Sequence, residues 1–167
     1  VVGIDRVSGG VEVLAGTFGP DLESAARAEG LTVGHHPQSM DISTVGGWLA
    51  QGGAGFGSWK HGWFAENVIS ARAVLGDGSV RDFQGEDLAL LSEAEGITGL
   101  VTQVTLRVRP AAEPEVRLAS FDSTAELGRF LSSLEGLELW SVSFTNPTMA
   151  RLANQAIDAV LAVPAGN

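Results

Sequence analysis

The 167-residue sequence contains no cysteine. That excludes a disulfide framework, a thiol nucleophile and a cysteine metal site. No apolar run approaches the roughly 20 residues that cross a bilayer, so a transmembrane helix is excluded. Basic residues are scarce. Nine arginines and a single lysine, Lys60, stand against twenty acids, for a net charge of −10. Non-specific nucleic-acid binding depends on basic surface, which a chain this acidic lacks. No signal or transit pattern is visible, and a cytoplasmic location is the expectation.

The chain has enough apolar residues to fold: 44% are hydrophobic and only 18% charged, which argues against disorder. The length suits one domain of ordinary size or slightly more. Glycine is in excess, with 22 residues against a background of about 7%. The first residue is Val1, inside an apparent strand pattern, which suggests a fragment of a longer protein.

Hydrophobic patterning gives a coarse element order. Val11–Gly16 alternates as a short strand, and Leu31–Gly34 is a second extended piece. Pro20–Glu29 reads as a helix, with Pro20 in its first turn, Asp21 and Glu23 near its positive end and Gly30 as the stop. Residues 35–62 read as loop with one possible helical turn at Val45–Gln51. Asn67–Leu75 and Ser79–Phe83 flank Asp77-Gly78, a two-residue hairpin signal whose turn type needs positive φ at both positions. A short helix is expected at Asp87–Glu93 and a strand at Leu100–Val108. After Pro110 and Pro114 come an expected strand at Val116–Ser120, a helix at Thr124–Leu134, a strand at Leu139–Phe144 and a last helix from Pro147 to Val160. Hairpins mixed with crossovers point to the α+β class.

Seven of the seventeen residues in Gly46–Gly62, GGWLAQGGAGFGSWKHG, are glycine. Successive N–H groups in such a loop form an anion-binding nest, and Ser43 and Thr44 add hydroxyls, which allows an acidic protein to hold a diphosphate. A flexible surface loop is the plain alternative. The loop lacks the spacing of a P-loop, and neither G-x-G-x-x-G nor G-x-S-x-G occurs. A second glycine-bracketed stretch, Glu93–Thr102, leads into the Leu100–Val108 strand. There, backbone N–H groups, with Glu95, could meet a ligand at the strand end; a helix stop followed by a tight turn is the plainer reading. Adjacent His35 and His36 point in different directions on an extended chain, and no carboxylate has ligand spacing to them or to His61, so no metal site is expected. His61 reads either as a general base or, more plainly, as a packed and hydrogen-bonded ring. Trp48 is expected to pack in the core, and Arg107 and Arg109 to line a solvated sheet face.

His35-x-Pro37-x-Ser39, Ser43-Thr44-Val45-Gly46-Gly47-Trp48, Glu95-Gly96-Ile97-Thr98-Gly99-Leu100-Val101-Thr102 and Leu106–Pro110 (LRVRP) occur in an order and spacing that resemble a known family. This is the FAD-binding domain of the vanillyl-alcohol-oxidase (PCMH) type, in the branch of alkyldihydroxyacetonephosphate synthase and the glycolate oxidase FAD subunit. The resemblance runs from about Val11 to Pro110. It implies the second lobe of that FAD-binding domain over residues 1–110, a mixed or antiparallel sheet flanked by helices, and the start of a substrate (cap) domain over 111–167. It implies FAD contacts from Pro37, Gln38, Ser39, Met40, Asp41, Ile42, Ser43, Thr44, Val45, Gly46 and Gly47, from Gln51, Gly52, Gly53 and Ala54, from His61, and from Glu95, Gly96, Gly99, Leu100 and Val101. The family's pyrophosphate loop, P-x-G-G-G-T-S, has no counterpart here, so a missing N-terminal lobe or a partner chain would complete the site; a homo-oligomer is a further partner expectation. The departures are His61 for a frequent tyrosine, Ala94 for serine, Ile97-Thr98 for Thr-Leu, and Gln51-Gly52-Gly53 where Thr-Arg is common.

The function implied is hydride transfer from a 2-hydroxy acid or related alcohol to FAD, with no catalytic base assigned and with the isolated chain incomplete and inactive. The alternative is a non-catalytic or degenerate flavin-domain lobe acting through protein contacts.

Overall fold

The computed structural model describes residues 2–5 and 9–161. Val1 and Asn167, the ends on which the fragment expectation rests, lie outside the described residues. The described residues form seven strands and five α-helices: β1 (Gly3–Asp5), β2 (Gly10–Leu14), α1 (Gly19–Ala28), β3 (Leu31–Thr32), α2 (Val45–Gln51), α3 (Ser58–His61), β4 (Val68–Val74), β5 (Val80–Gln84), β6 (Leu100–Arg107), β7 (Arg109–Pro110), α4 (Thr124–Ser133) and α5 (Pro147–Leu161). The main sheet has five strands in the order β1-β2-β6-β4-β5, all antiparallel, and β3 pairs with β7 beside it. The class is α+β, as the sequence implies.

Alternation separates the two faces of the sheet. Val11 pairs with Leu106, Val13 with Val104, Val104 with Ala71 and Ala71 with Phe83, all buried. The opposite face carries the row Glu12, Thr105, Ser70, Gln84 and the row Gln103, Arg72, Asp82. The apolar face is covered by Leu22 of α1 and by Val45, Trp48 and Leu49 of α2 at helical spacing. Full burial of each large apolar side chain contributes about 1.5–3 kcal/mol.

The exit of β2 positions α2. Phe18 and Thr44, the residues that precede α1 and α2, form an isolated bridge. The Gly46 N–H donates to Ala15 O and the Val45 N–H to Thr17 O. A Cβ on Gly46 would lie 2.5 Å from the Ala15 Cβ, so the helix start and the strand end touch through a residue that has none. Thr44 caps α2 by accepting from the Gly47 N–H.

Five expectations are corrected. The β4–β5 turn has positive φ at Gly78 but not at Asp77, and Leu75 O accepts from the Gly78 N–H. It is a longer loop closing on a left-handed glycine rather than a two-residue turn. The helix expected at Asp87–Glu93 is a 3₁₀ segment at Gly85–Leu90, because Glu93 and Glu95 take φ of 60° and 49°, which no right-handed helix continues through. The strands expected at Val116–Ser120 and Leu139–Phe144 do not form. Among the described residues neither has a ladder partner, and Val116, Leu118 and Phe144 are exposed. Arg109 is not on a solvated face. It is half-buried, donating to Val33 O at 2.8 Å and to Asn67 Oδ1 at 2.6 Å.

Candidate functional site

Between the α2 C-terminus and the extended segment after β3 lies a cleft of about 500 Å³. Of the positions the resemblance marks, Pro37, Gln38, Ser39, Ser43, Gly47, Gln51, Gly52, Gly53 and Ala54 line it. His35, Trp48 and Phe64 line it as well. His35 and Trp48 stand inside the motif, but nothing in the sequence marks Phe64, which reaches the cleft through the 3₁₀ segment Phe64–Asn67.

The walls are built from local chemistry. The Trp48 Nε1–H donates to Ser43 Oγ at 2.6 Å, and the Ser43 hydroxyl lies 2.6 Å from Ser39 O and 2.8 Å from Ser39 Oγ. Trp48 and Phe64 meet edge to face at 5.6 Å, and Phe64 meets His35 the same way at 5.6 Å. These rings close the floor. Burial pushes the His35 imidazole down, with His36 and Arg109 adding to the effect and the Gly62 backbone partly offsetting it. Burial thus favours the neutral form of a ring whose two nitrogens are both enclosed.

The remaining marked positions fall elsewhere. Val45 and Gly46 are buried against β2, and the Gly46 amide, already donated to Ala15 O, is not free for a ligand in this conformation. Met40 packs against the core, Thr44 serves as a cap, and Asp41 and Ile42 are exposed. Glu95 joins the α2 end through its N–H to Ala50 O at 2.8 Å, while Gly96 lies beyond the cleft lining. A Cβ on Gly99 would abut Val74 O; Leu100 is exposed at the start of β6, and Val101 packs against the core. His61 lies apart from the cleft, its Nε2 close to Gly34 and Arg109; burial, Arg109, Lys60 and His35 all hold its pKa low.

Asn67, fully buried, holds the far end of the loop: its Nδ2 donates to His61 O and Trp63 O, both at 2.9 Å. At the near end, Glu23 is a hub. It accepts from Arg27 Nε and Thr32 Oγ1 at 2.7 Å and from the Val33 N–H at 3.2 Å, with His36 Nε2 at 3.4 Å. Burial alone would raise its pKa, but these partners outweigh it and bring it down to about 2. Among the described residues, no cluster of three or more histidines and carboxylates is placed to hold a metal, and no helix is long and apolar enough to cross a membrane.

The comparisons with known proteins fit this geometry. A family model described as an FAD binding domain matches residues 1–84, half of the chain. The chain belongs to this FAD-binding family. The alkyldihydroxyacetonephosphate synthase of Trypanosoma brucei brucei is 34% identical over 68% of this chain and 19% of its own length. Mitochondrial D-lactate dehydrogenase (cytochrome) 1 of Saccharomyces cerevisiae is 29% identical over 92% of this chain and 28% of its own length. A glycolate oxidase subunit of Bacillus subtilis is 29% identical over 71% of this chain and 27% of its own length. A solved structure of alkyldihydroxyacetonephosphate synthase superposes with a TM-score of 0.61 at 29% identity, covering 66% of this chain and 21% of that one. The chain thus spans between a fifth and just over a quarter of the length of these relatives.

The cleft suits the family's cofactor. Its lining includes hydroxyls, side-chain amides and glycine backbone but no carboxylate, in a chain with a net charge of −10. A Cβ on Gly47 or Gly53 would come no closer than 3.4 Å to Thr44 Oγ1 or 3.8 Å to the Gln51 amide, so both glycines leave the cleft side open.

Proposed function

We propose that this chain is part of an FAD-linked oxidoreductase that takes a hydride from the hydroxyl-bearing carbon of a 2-hydroxy acid or related alcohol. The observation that carries the reading is the carboxylate-free cleft at the family motif, in a family whose members include relatives named for lactate and glycolate. Residues 1–110 would form one lobe of the flavin domain and residues 111–167 the start of the substrate domain.

Bound in the cleft, FAD would supply the two-electron acceptor. The chain's part is binding and orientation. Gln38 and Gln51 offer amide donors and acceptors, and Ser39 and Ser43 offer hydroxyls on one wall. The backbone of Gly52, Gly53 and Ala54 also lines the cleft. The Trp48, Phe64 and His35 rings exclude water from the floor, which strengthens hydrogen bonds made above them.

Titrating FAD into the purified, isotope-labelled chain tests this. Backbone amides of Gln38, Ser39 and residues 52–54 are expected to shift with FAD concentration, while those of β5 stay in place. An unchanged spectrum at millimolar FAD overturns the assignment of this cleft.

A further inference from the structure

Residues 34–36 and 55–57 run antiparallel. The His36 N–H donates to Phe56 O and the Phe56 N–H to His36 O, both at 2.8 Å. This bridge stands directly behind the cleft wall: His35, Pro37 and Ala54, which flank it in the chain, line that space. Extended backbone sends His35 inward to Phe64 and His36 to the other side.

On that other side sits Trp140. Its ring meets His36 edge to face at 5.7 Å and stacks on Phe56 at 6.5 Å. Its Nε1–H donates to Gly34 O at 2.8 Å. Two neighbours fix the same segment to α3: Leu137 O accepts from Trp59 Nε1 at 3.4 Å, and Glu138 pairs with Lys60 at 2.8 Å. Residues 137–140 have no regular secondary structure, so it is these contacts that hold them there.

We infer that Trp140 is a positioning residue, acting through the His36–Phe56 bridge to hold the cleft wall in its ligand-binding shape. Binding by residues 35–54 then depends on a segment about 100 residues further along the chain. The inference rests on the reading that the cleft holds FAD.

Two variants test it, each followed by amide hydrogen exchange and by FAD titration: Trp140→Ala, and Trp140→Phe, which keeps a ring but loses the indole N–H. Exchange at the His36 and Phe56 amides is expected to rise at least tenfold in Trp140→Ala, with Val13 and Val104 unchanged, and FAD affinity to fall at least fivefold. Trp140→Phe should fall between, and it remains decisive if the alanine variant does not fold. Wild-type exchange at His36 and Phe56 overturns the inference, and so does faster exchange with unaltered FAD affinity. If the wild-type chain itself binds no FAD, the cleft assignment fails and this inference falls with it, a result distinct from a loss confined to the variants.

Discussion

Gly57 takes φ of 92°, and a Cβ there would lie 2.1 Å from Gly34 O and 2.7 Å from Trp140 Nε1. The obstacle is backbone, which cannot turn aside as a side chain can. Gly57→Ala is therefore expected to cost about 2–5 kcal/mol, combining backbone strain with overpacking, measured by urea unfolding. The sequence suggested that glycines in this loop clear space for a ligand. At Gly47 and Gly53 the space beside the backbone is open, but Gly46 and Gly57 clear space for the protein's own backbone and side chains. Composition cannot separate these uses, because both look like glycine excess. Glu23 carries a second residue-scale prediction. Its folded pKa of about 2 lies below the ordinary 4.5, so its contribution is full above about pH 4.5 and is lost as pH falls through 2. That contribution is of order 3 kcal/mol. Glu23→Gln should lower stability at pH 7 by roughly that amount, and the gap to wild type should close between pH 4 and pH 2, as followed by denaturant melts across that range.

At the scale of elements, local signals were legible wherever local forces decide. The alternation of Leu100–Val108 and of Val11–Gly16 anticipates β6 and β2, and the capping and charge pattern around Pro20–Glu29 anticipates α1. In α2, Thr44 makes a long cap of 3.4 Å to the Gly47 N–H. Thr44→Ala is expected to cost only about 0.5–1 kcal/mol, at the low end for a cap, and thermal melts will show it. No measurable loss would mean that the Phe18–Thr44 bridge, a backbone contact that alanine keeps, holds α2 in place without the cap. Elements that depend on distant partners were not legible. Apolar runs at 116–120 and 139–144 have strand character, yet without a ladder beside them they stay irregular. The 3₁₀ segment at Gly85–Leu90 gives way to two glutamates in left-handed backbone, a conformation their identity does not announce.

For the whole molecule, the sequence motif locates much of the cleft lining and misses how the cleft is supported. Nine of the marked positions converge on a single cleft, because the motif between Pro37 and Ala54 is contiguous in the chain. His61 and the Glu95–Val101 stretch lie outside that contiguous run and outside the cleft lining, since α3 and the start of β6 direct them elsewhere. Phe64, Asn67, Arg109 and Trp140 meet the loop only after folding, from positions that no local pattern connects. The Trp140–Gly34 contact spans 106 residues. At synthesis rates of about 5–20 residues per second, the 76 residues from Phe64, the last of the cleft lining, to the indole that braces it take roughly 4–15 s. The nascent chain thus carries a complete set of cleft-lining residues before it carries their brace, and the interval is set by the speed of translation.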